Sequence, residues 1–378
     1  MVTLDDVAAL AGVSRMTASN ALRGKTVVRP QTAARVRRAA AKLGYRPNVA
    51  AQQLSSGRTH VISVSVSDFD LTLPAKLVAE LSDRAQRLGY QVVVQQTRFC
   101  ADYEMAMLSS ASMQICDGAI ICWPRRADAR FEEFAARCPL VMLDAFGMEG
   151  RVDCVYTPCG EGAAQAVRHL MDHGARRIAV LGADRAQMGD EPGSAGLRLR
   201  GALDALAAYG VREDEVMAVG AGWNQEGGYA AMHALLDERG WRPGCDALMT
   251  LGFDALFCTC DPVAVGALKA LTDAGVRVPA DVMVIGFDGV ESGALTTPGL
   301  TSVETSAADM AAACLDLLMG RIDAGKAGGA GGAGVVDGTD DAGRADGAGR
   351  ADPSAVSAPA PRTVTVAHRV LERGSAER

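Results

Sequence analysis

The sequence predicts an all-α helix-turn-helix head followed by an α/β body of two lobes, each a parallel, doubly wound sheet. Three observations predict it. Short helical periodicities punctuated by Gly12 and Gly44 fill the first 47 residues. From His60 onward, apolar runs of strand length alternate with helical periodicity for long enough to make two sets. The 378 residues also exceed one compact domain, at roughly 100–200 residues each. A chain 49% hydrophobic and 22% charged is ordinary for a globular protein, which excludes global disorder. No run approaches the roughly 18 apolar residues of a membrane span. The opening Met1 to Asp6 has neither the basic nor the apolar stretch of a secretory signal. A cytoplasmic protein with no membrane partner is expected.

In the head, Leu4, Val7, Ala8 and Ala11 follow helical spacing, and Gly12 sits where a tight turn needs a positive φ. Val13 is placed to plug the gap between two helices, and Ser14 is a good N-cap. The second helix, about Arg15 to Arg23, buries Ala18, Ala21 and Leu22 and presents Arg15, Met16, Thr17 and Asn20. A third opens at Pro30, buries Val36, Ala39, Ala40 and Leu43, and stops at Gly44. Three such helices form a unit whose second helix enters the DNA major groove. Charge agrees: residues 1–60 hold ten Lys/Arg and two Asp, a net of +8 in a chain of net −7. A basic head on an acidic body points to a polyanion partner for the head alone.

Residues 48–57 have helical content for barely two turns, marginal alone in water, so folding is expected only when two copies pack together on DNA. The body then reads as strand 61–66, helix 75–88, strand 91–95, helix 103–114, strand 118–122, helix 129–137 and strand 140–144. A second set follows: helix 161–173, strand 177–181, helix 196–209, strand 215–219, helix 225–239, strand 255–260, helix 262–274 and strand 282–287. Two parallel sets imply two lobes, with a ligand at the strand C-terminal ends in the crevice between them.

Two stretches of the head together are specific. Thr3-Leu-Asp-Asp-Val-Ala-Ala-Leu-Ala-Gly-Val-Ser-Arg-Met-Thr-Ala-Ser-Asn-Ala-Leu-Arg-Gly24 and Gly44-Tyr-Arg-Pro-Asn-Val-Ala-Ala-Gln-Gln-Leu54 resemble the head and hinge of the lactose-repressor (LacI/GalR) family. In the body, Arg198-Leu-Arg-Gly201, Cys260-Asp-Pro-Val-Ala-Val-Gly-Ala-Leu268 and Val284-Ile-Gly-Phe-Asp-Gly289 sit in family order, and the resemblance covers 2–323 and 362–375.

That resemblance implies a DNA-binding regulator, most simply a repressor, that reads a pseudo-palindromic operator as a homodimer and is released by a sugar-type effector. Its body would be the two-lobed core shared with periplasmic-binding-protein-like proteins. The implied organisation is a head at 1–47, hinge and linker at 48–59, a first lobe from 60–156 and 299–323, and a second from 157–298 and 362–378. Residues 324–361, rich in Gly and Ala, read as a flexible insertion.

The resemblance implies base reading by Arg15, Met16 and Asn20. Arg suits guanine O6/N7, Met a thymine methyl and Asn adenine, and a good bidentate contact carries about 1–3 kcal/mol of discrimination. Ser14, Thr17 and Ser19 would touch phosphate, and Leu54 would wedge into the minor groove. Implied effector residues are Arg198 and Asp288 on second-lobe loops, Trp223 as a flat face for a sugar ring, Asp144, Trp123 and Cys260, with the loop Asp68 to Pro74 closing over the ligand. The bland alternatives are an Arg198–Asp288 ion pair inside one lobe and a packing role for Trp223.

The chain departs from the family at Arg29, where a Ser cap is usual before Pro30, and at Cys260, where Asn is usual. Asp246-Ala-Leu-Met-Thr-Leu-Gly-Phe253 also looks nearly duplicated in Asp254-Ala-Leu-Phe-Cys-Thr-Cys-Asp261. A nucleobase co-repressor is therefore the alternative effector, and a ligand binder without DNA activity the alternative class. Gly329 to Gly334 matches GxGxxG without a preceding strand, so no dinucleotide cofactor is expected. His169 and His173 have metal-pair spacing but no evident third ligand, and read as a helix surface. The ten cysteines include no CxxC and read as reduced small hydrophobes. No phosphate loop or catalytic motif appears, so enzymatic activity is not expected.

Overall fold

The computed structural model describes residues 2–22, 24–45, 58–190, 193–329 and 359–378. The chain divides into two compact units, Met1–Thr59 and His60–Arg378. Of the expected hinge and linker at 48–59, residues 48–57, with Leu54 among them, lie outside the described residues.

In the first unit, helix α1 (Leu4–Ala11) opens on a reciprocal cap: the Thr3 hydroxyl accepts from the Asp6 N–H, and the Asp6 carboxylate accepts from the Thr3 N–H at 2.8 Å. It closes at Gly12, whose φ is 61°. Helix α2 (Arg15–Leu22) is capped by Ser14, whose Oγ accepts from the Thr17 N–H at 3.1 Å. Helix α3 (Pro30–Leu43) begins at Arg29, which supplies no side-chain cap, and ends at Gly44. The core is small-residue rich (Val7, Ala8, Ala11, Ala18, Ala21, Ala33, Val36, Ala39, Ala40), with Val13, Leu22 and Leu43 on its edge. Arg35 Nε donates to Ala11 O at 2.8 Å, joining α3 to the end of α1.

The second unit holds two six-stranded sheets. In chain order its elements begin β1 (Val61–Val66), α4 (Thr72–Arg87), β2 (Gln91–Gln96), α5 (Ala101–Leu108), α6 (Ala111–Ile115), β3 (Gly118–Cys122), α7 (Ala129–Ala135), β4 (Leu140–Leu143) and β5 (Asp153–Tyr156). The second series is α8 (Cys159–Asp172), β6 (Ile178–Leu181), α9 (Ser194–Ala208), β7 (Ala218–Val219), α10 (Gln225–Glu238), α11 (Ala247–Leu251), β8 (Ala255–Cys258), α12 (Asp261–Asp273), β9 (Met283–Asp288) and β10 (Thr301–Thr305). The chain finishes with α13 (Ala307–Gly329), β11 (Thr363–Thr365) and β12 (His368–Leu371).

The first sheet runs β11-β5-β4-β3-β1-β2, all parallel. The second runs β12-β10-β9-β8-β6-β7, parallel except for β12 against β10. Each sheet carries a buried apolar cluster on both faces, as doubly wound sheets require.

The lobe boundaries differ from the sequence expectation in two places. The segment 299–323 does not belong wholly to the first lobe: β10 pairs with β9 in the second sheet, and the chain crosses only at α13. There Met310, Ala311, Cys314, Leu315 and Leu318 pack against the first sheet. Nor does 362–378 belong wholly to the second, because β11 pairs with β5 in the first sheet before β12 returns to the second. β11 satisfies its backbone at the edge of the first sheet and β10 between β9 and β12 of the second, choices that an apolar pattern does not specify.

Smaller corrections follow the same logic. The expected helix 103–114 is two helices broken at Ser109 and Ser110, where Ser110 caps the second. The strand expected at 215–219 shrinks to β7, preceded by a 3-10 turn at Glu213–Glu215. β5 is a strand the alternation missed. The insertion is helical through Gly329, and 330–358 lies outside the described residues. His169 is buried rather than on a helix surface, its ring 4.2 Å from that of His173. No group of three potential metal ligands occurs among the described residues. The near-duplicated segments fold differently. The first copy is α11, capped by Asp246 and ended by Gly252 at φ 84°, whereas the second is β8, fully buried in its sheet. Among the described residues no helix is long and apolar enough to cross a membrane.

Candidate functional site

Two surfaces carry the expected site residues, one in each unit. In the head, Arg15 and Met16 stand exposed on the first turn of α2, with Ser19 and Asn20 half-buried behind them. Arg15 Nη1 meets Asp5 Oδ2 at 3.2 Å with both side chains mostly exposed, a pairing weak enough to exchange for another acceptor. The Ser14 and Thr17 hydroxyls are engaged with each other at 2.9 Å, and Ser14 also caps α2.

In the body, a cavity of about 730 Å³ opens at the C-terminal ends of both sheets. It brings together all six expected effector residues: Trp123, Asp144, Arg198, Trp223, Cys260 and Asp288. Trp123 follows β3, Asp144 follows β4 and Asp288 ends β9, which is where side chains of parallel strands reach a crevice between lobes. Arg198 is not on a loop, as expected, but on the second turn of α9. The closing loop is shorter than expected, since α4 begins at Thr72 within it.

Backbone strain gathers here. Phe99, Trp123, Asp144 and Asp288 line the cavity with φ values of 55°, 53°, 51° and 110°, in the left-handed region that non-glycine residues avoid. Such strain persists where the surrounding structure holds it, commonly at ligand sites.

The electrostatics are those of buried, paired groups. Asp144 accepts from Thr157 N at 2.7 Å, Thr157 Oγ1 at 2.8 Å and Trp123 Nε1 at 3.1 Å. Burial nevertheless raises its pKa, with those hydrogen bonds opposing. Arg198 Nη1 donates to Asp288 Oδ1 at 3.1 Å and to Thr259 O at 2.5 Å. Its guanidinium lies 3.7 Å from the Phe287 ring centre and 5.1 Å from that of Trp223. Burial opposes the Arg198 charge, but Asp288 overrides it and the pKa stands above its ordinary value. Burial pushes Asp288 up to about 6, against the attraction of Arg198. Trp223 Nε1 donates to Gly182 O at 3.2 Å, which leaves the indole face for the cavity. Both bland alternatives are thus geometrically present, yet the same residues form the cavity wall. Cys260 precedes α12 and gives it no side-chain cap.

Sequence reasoning missed several wall residues, among them Phe99, Arg125, Arg126, Phe146 and Gln187. Gln187 is in the 3-10 turn Arg185–Met188 and the others are on loops, whose inward and outward sides no periodicity announces.

Residues 3–48 match bacterial regulatory proteins of the lacI family, and residues 167–331 match the periplasmic binding protein-like domain. The HTH-type transcriptional repressor PurR of Glaesserella parasuis is 28% identical over 323 residues, covering 85% of this chain and 90% of that protein. The HTH-type transcriptional regulator AscG of Escherichia coli K12 is 30% identical over 330 residues, covering 86% and 93%. The solved transcriptional regulator CelR–cellobiose complex superposes with a TM-score of 0.64 at 26% identity, covering 99% of this chain and 100% of that one. A helix-turn-helix head and a two-lobed core with relatives matched over nearly their whole length lead to one conclusion: the chain belongs to the lacI family of bacterial regulatory proteins and is a DNA-binding transcriptional repressor.

Proposed function

We propose that this repressor binds a pseudo-palindromic operator as a homodimer and is released by a carbohydrate-type effector held between the two lobes. The observation that carries the effector reading is the convergence of Arg198, Asp288, Asp144, Trp123 and Trp223 on one cavity. A carboxylate accepts from vicinal hydroxyls, a guanidinium donates to them, and an indole covers the apolar face of a pyranose ring. The solved relative described as a cellobiose complex supports the same class.

Arg15, Met16 and Asn20 are the base readers in this reading, because Arg15 and Met16 lead the helix that enters the major groove and Asn20 follows Met16 one turn later on the same face. Ser19 is left to touch phosphate, with Ser14 and Thr17 giving the helix its start. Leu54 is the minor-groove wedge. Two-fold symmetry supplies the second half-site. A ligand that prefers the arrangement separating the two heads lowers operator affinity, and DNA lowers ligand affinity by the same factor. The second reading, a nucleobase co-repressor, draws on the flat aromatic faces of Trp223, Phe99 and Phe146 on the wall.

The test is selection of the protein on random duplex DNA, then anisotropy titration of the enriched duplex with sugars and nucleobases. A palindrome released by a sugar is the expected result. A palindrome bound more tightly with a nucleobase selects the second reading. No enriched sequence overturns DNA reading by α2.

A further inference from the structure

The turn after β3 is fixed from beneath. Glu104 is 1% exposed, and both of its carboxylate oxygens accept from the Arg125 N–H at 3.0 Å. Pro124 stiffens the same turn. The Arg125 and Arg126 side chains rise from it, exposed, onto the cavity wall. Neither guanidinium makes a hydrogen bond or ion pair among the described residues, and their charges reach Glu104 and Asp128 only at a distance.

The other charges of the wall are committed. Asp144 is satisfied by three donors, and Arg198 and Asp288 offset one another. The uncommitted charge on the wall is therefore two positive groups. Three helix N-termini add to it. The beginnings of α4, α9 and α12 line the cavity, and their cap residues Leu71, Gly193 and Cys260 give no side-chain hydrogen bond, so their first amides are unsatisfied by caps. Cys260, in place of an amide side chain, belongs to this pattern. The Nε of Arg198, itself 2% exposed, also has no partner.

We propose that the cleft takes a polyhydroxylated ligand bearing an oxyanion, a sugar phosphate or a sugar acid, with Arg125 and Arg126 binding the oxyanion. This deepens the effector reading above and rests on it. Two guanidinium forks match the several oxygens of a phosphate or carboxylate. Asp288 and Trp223 remain for the sugar ring.

The test uses the full-length protein and the Arg125→Gln/Arg126→Gln double variant, which keeps the backbone N–H that Glu104 holds. Thermal unfolding is followed with inorganic phosphate against sodium chloride at equal ionic strength. Calorimetric titrations then compare glucose, glucose 6-phosphate and gluconate. Phosphate should raise the wild-type melting temperature, and the double variant should lose that rise. An anionic sugar should bind at least tenfold more tightly than glucose to the wild type, and less than about threefold more tightly to the variant. Preference for glucose 6-phosphate or for gluconate identifies the source of the oxyanion. An equal phosphate effect in both proteins overturns the proposal, since the basic head then accounts for it. Glucose binding as tightly as its anionic derivatives overturns it too, while leaving the effector reading standing. If neither phosphate nor any sugar shifts the wild type, both fall.

Discussion

Arg198 reaches from α9 and Asp288 from the end of β9 to meet at 3.1 Å, with 2% and 6% of their side chains exposed. The pair holds the second-lobe wall of the cleft. It also places a full charge between the Phe287 and Trp223 rings. Removing one partner strands the other, which costs about 3–5 kcal/mol for a buried pair.

Arg198→Met should therefore lower the denaturation midpoint by that order. The loss should grow with pH. Without the guanidinium, the Asp288 pKa rises above its present value of about 6, so the folded form binds a proton the unfolded form has released. Urea unfolding at pH 5 and pH 8 checks this. An equal loss at both would mean that Arg198 acts through packing rather than charge. Asp288→Asn leaves the buried Arg198 guanidinium without its counter-charge and unable to shed its proton, so it should cost a similar amount and also abolish effector release of the operator.

The wall shows what the sequence could and could not carry. Trp123, Asp144 and Asp288 were legible through the family resemblance, with which the pattern agrees, because apolar strands end there and ligands sit beyond strand C-termini. Arg125 and Arg126 were not, because their placement depends on a buried carboxylate 21 residues earlier. β5 was hidden for a related reason. It opens on Asp153, a charge that spoils an apolar run and is buried only because Arg321, 168 residues later, donates to it at 2.7 Å and 2.8 Å. The near-duplicated segment makes the same point. Similar octapeptides become α11 and β8, and the place between β6 and β9 offered to the second decides between them.

One helix contact gives opposite expectations for its two glycines. A Cβ on Gly201 of α9 would lie 2.3 Å from the Gly160 carbonyl oxygen of α8, whereas a Cβ on Gly160 would meet nothing within 4 Å. Gly201→Ala should push the helices apart and destabilise by about 1–3 kcal/mol. Gly160→Ala should be neutral or stabilise by about 0.5–1 kcal/mol through helix propensity. Thermal melts of the two variants decide it, and similar losses in both would contradict the backbone approach.

Arg29 leaves the first amides of α3 without a side-chain acceptor, although its backbone is already extended at φ −57° and ψ 140°. Arg29→Ser should supply the cap and stabilise the head by about 1 kcal/mol. Protection of the α3 amides from hydrogen exchange should rise, and unchanged protection would show that the helix start is already satisfied by solvent.

Asp261 is fully buried behind the cleft, its Oδ1 2.6 Å from Ser302 Oγ and its Oδ2 accepting from Val290 N–H at 2.7 Å. Burial, reinforced by the Asp288 charge, raises its pKa from 3.8 to about 8. The native state therefore holds a proton that the unfolded chain releases above pH 4. Stability from this group is fullest below the unfolded pKa, is lost as pH rises toward 8, and changes no further above it. Asp261→Asn is neutral at every pH. Its Oδ1 can accept from the Val290 N–H while its Nδ2 donates to Ser302 Oγ, so it reproduces the hydrogen bonds of the protonated acid. The variant should thus lie close to the wild type at pH 5 and become steadily more stable than it toward pH 8.5, because only the wild type loses stability over that range. Urea midpoints across that range measure the gap, and a constant difference would mean that Asp261 is ionised in the folded protein throughout.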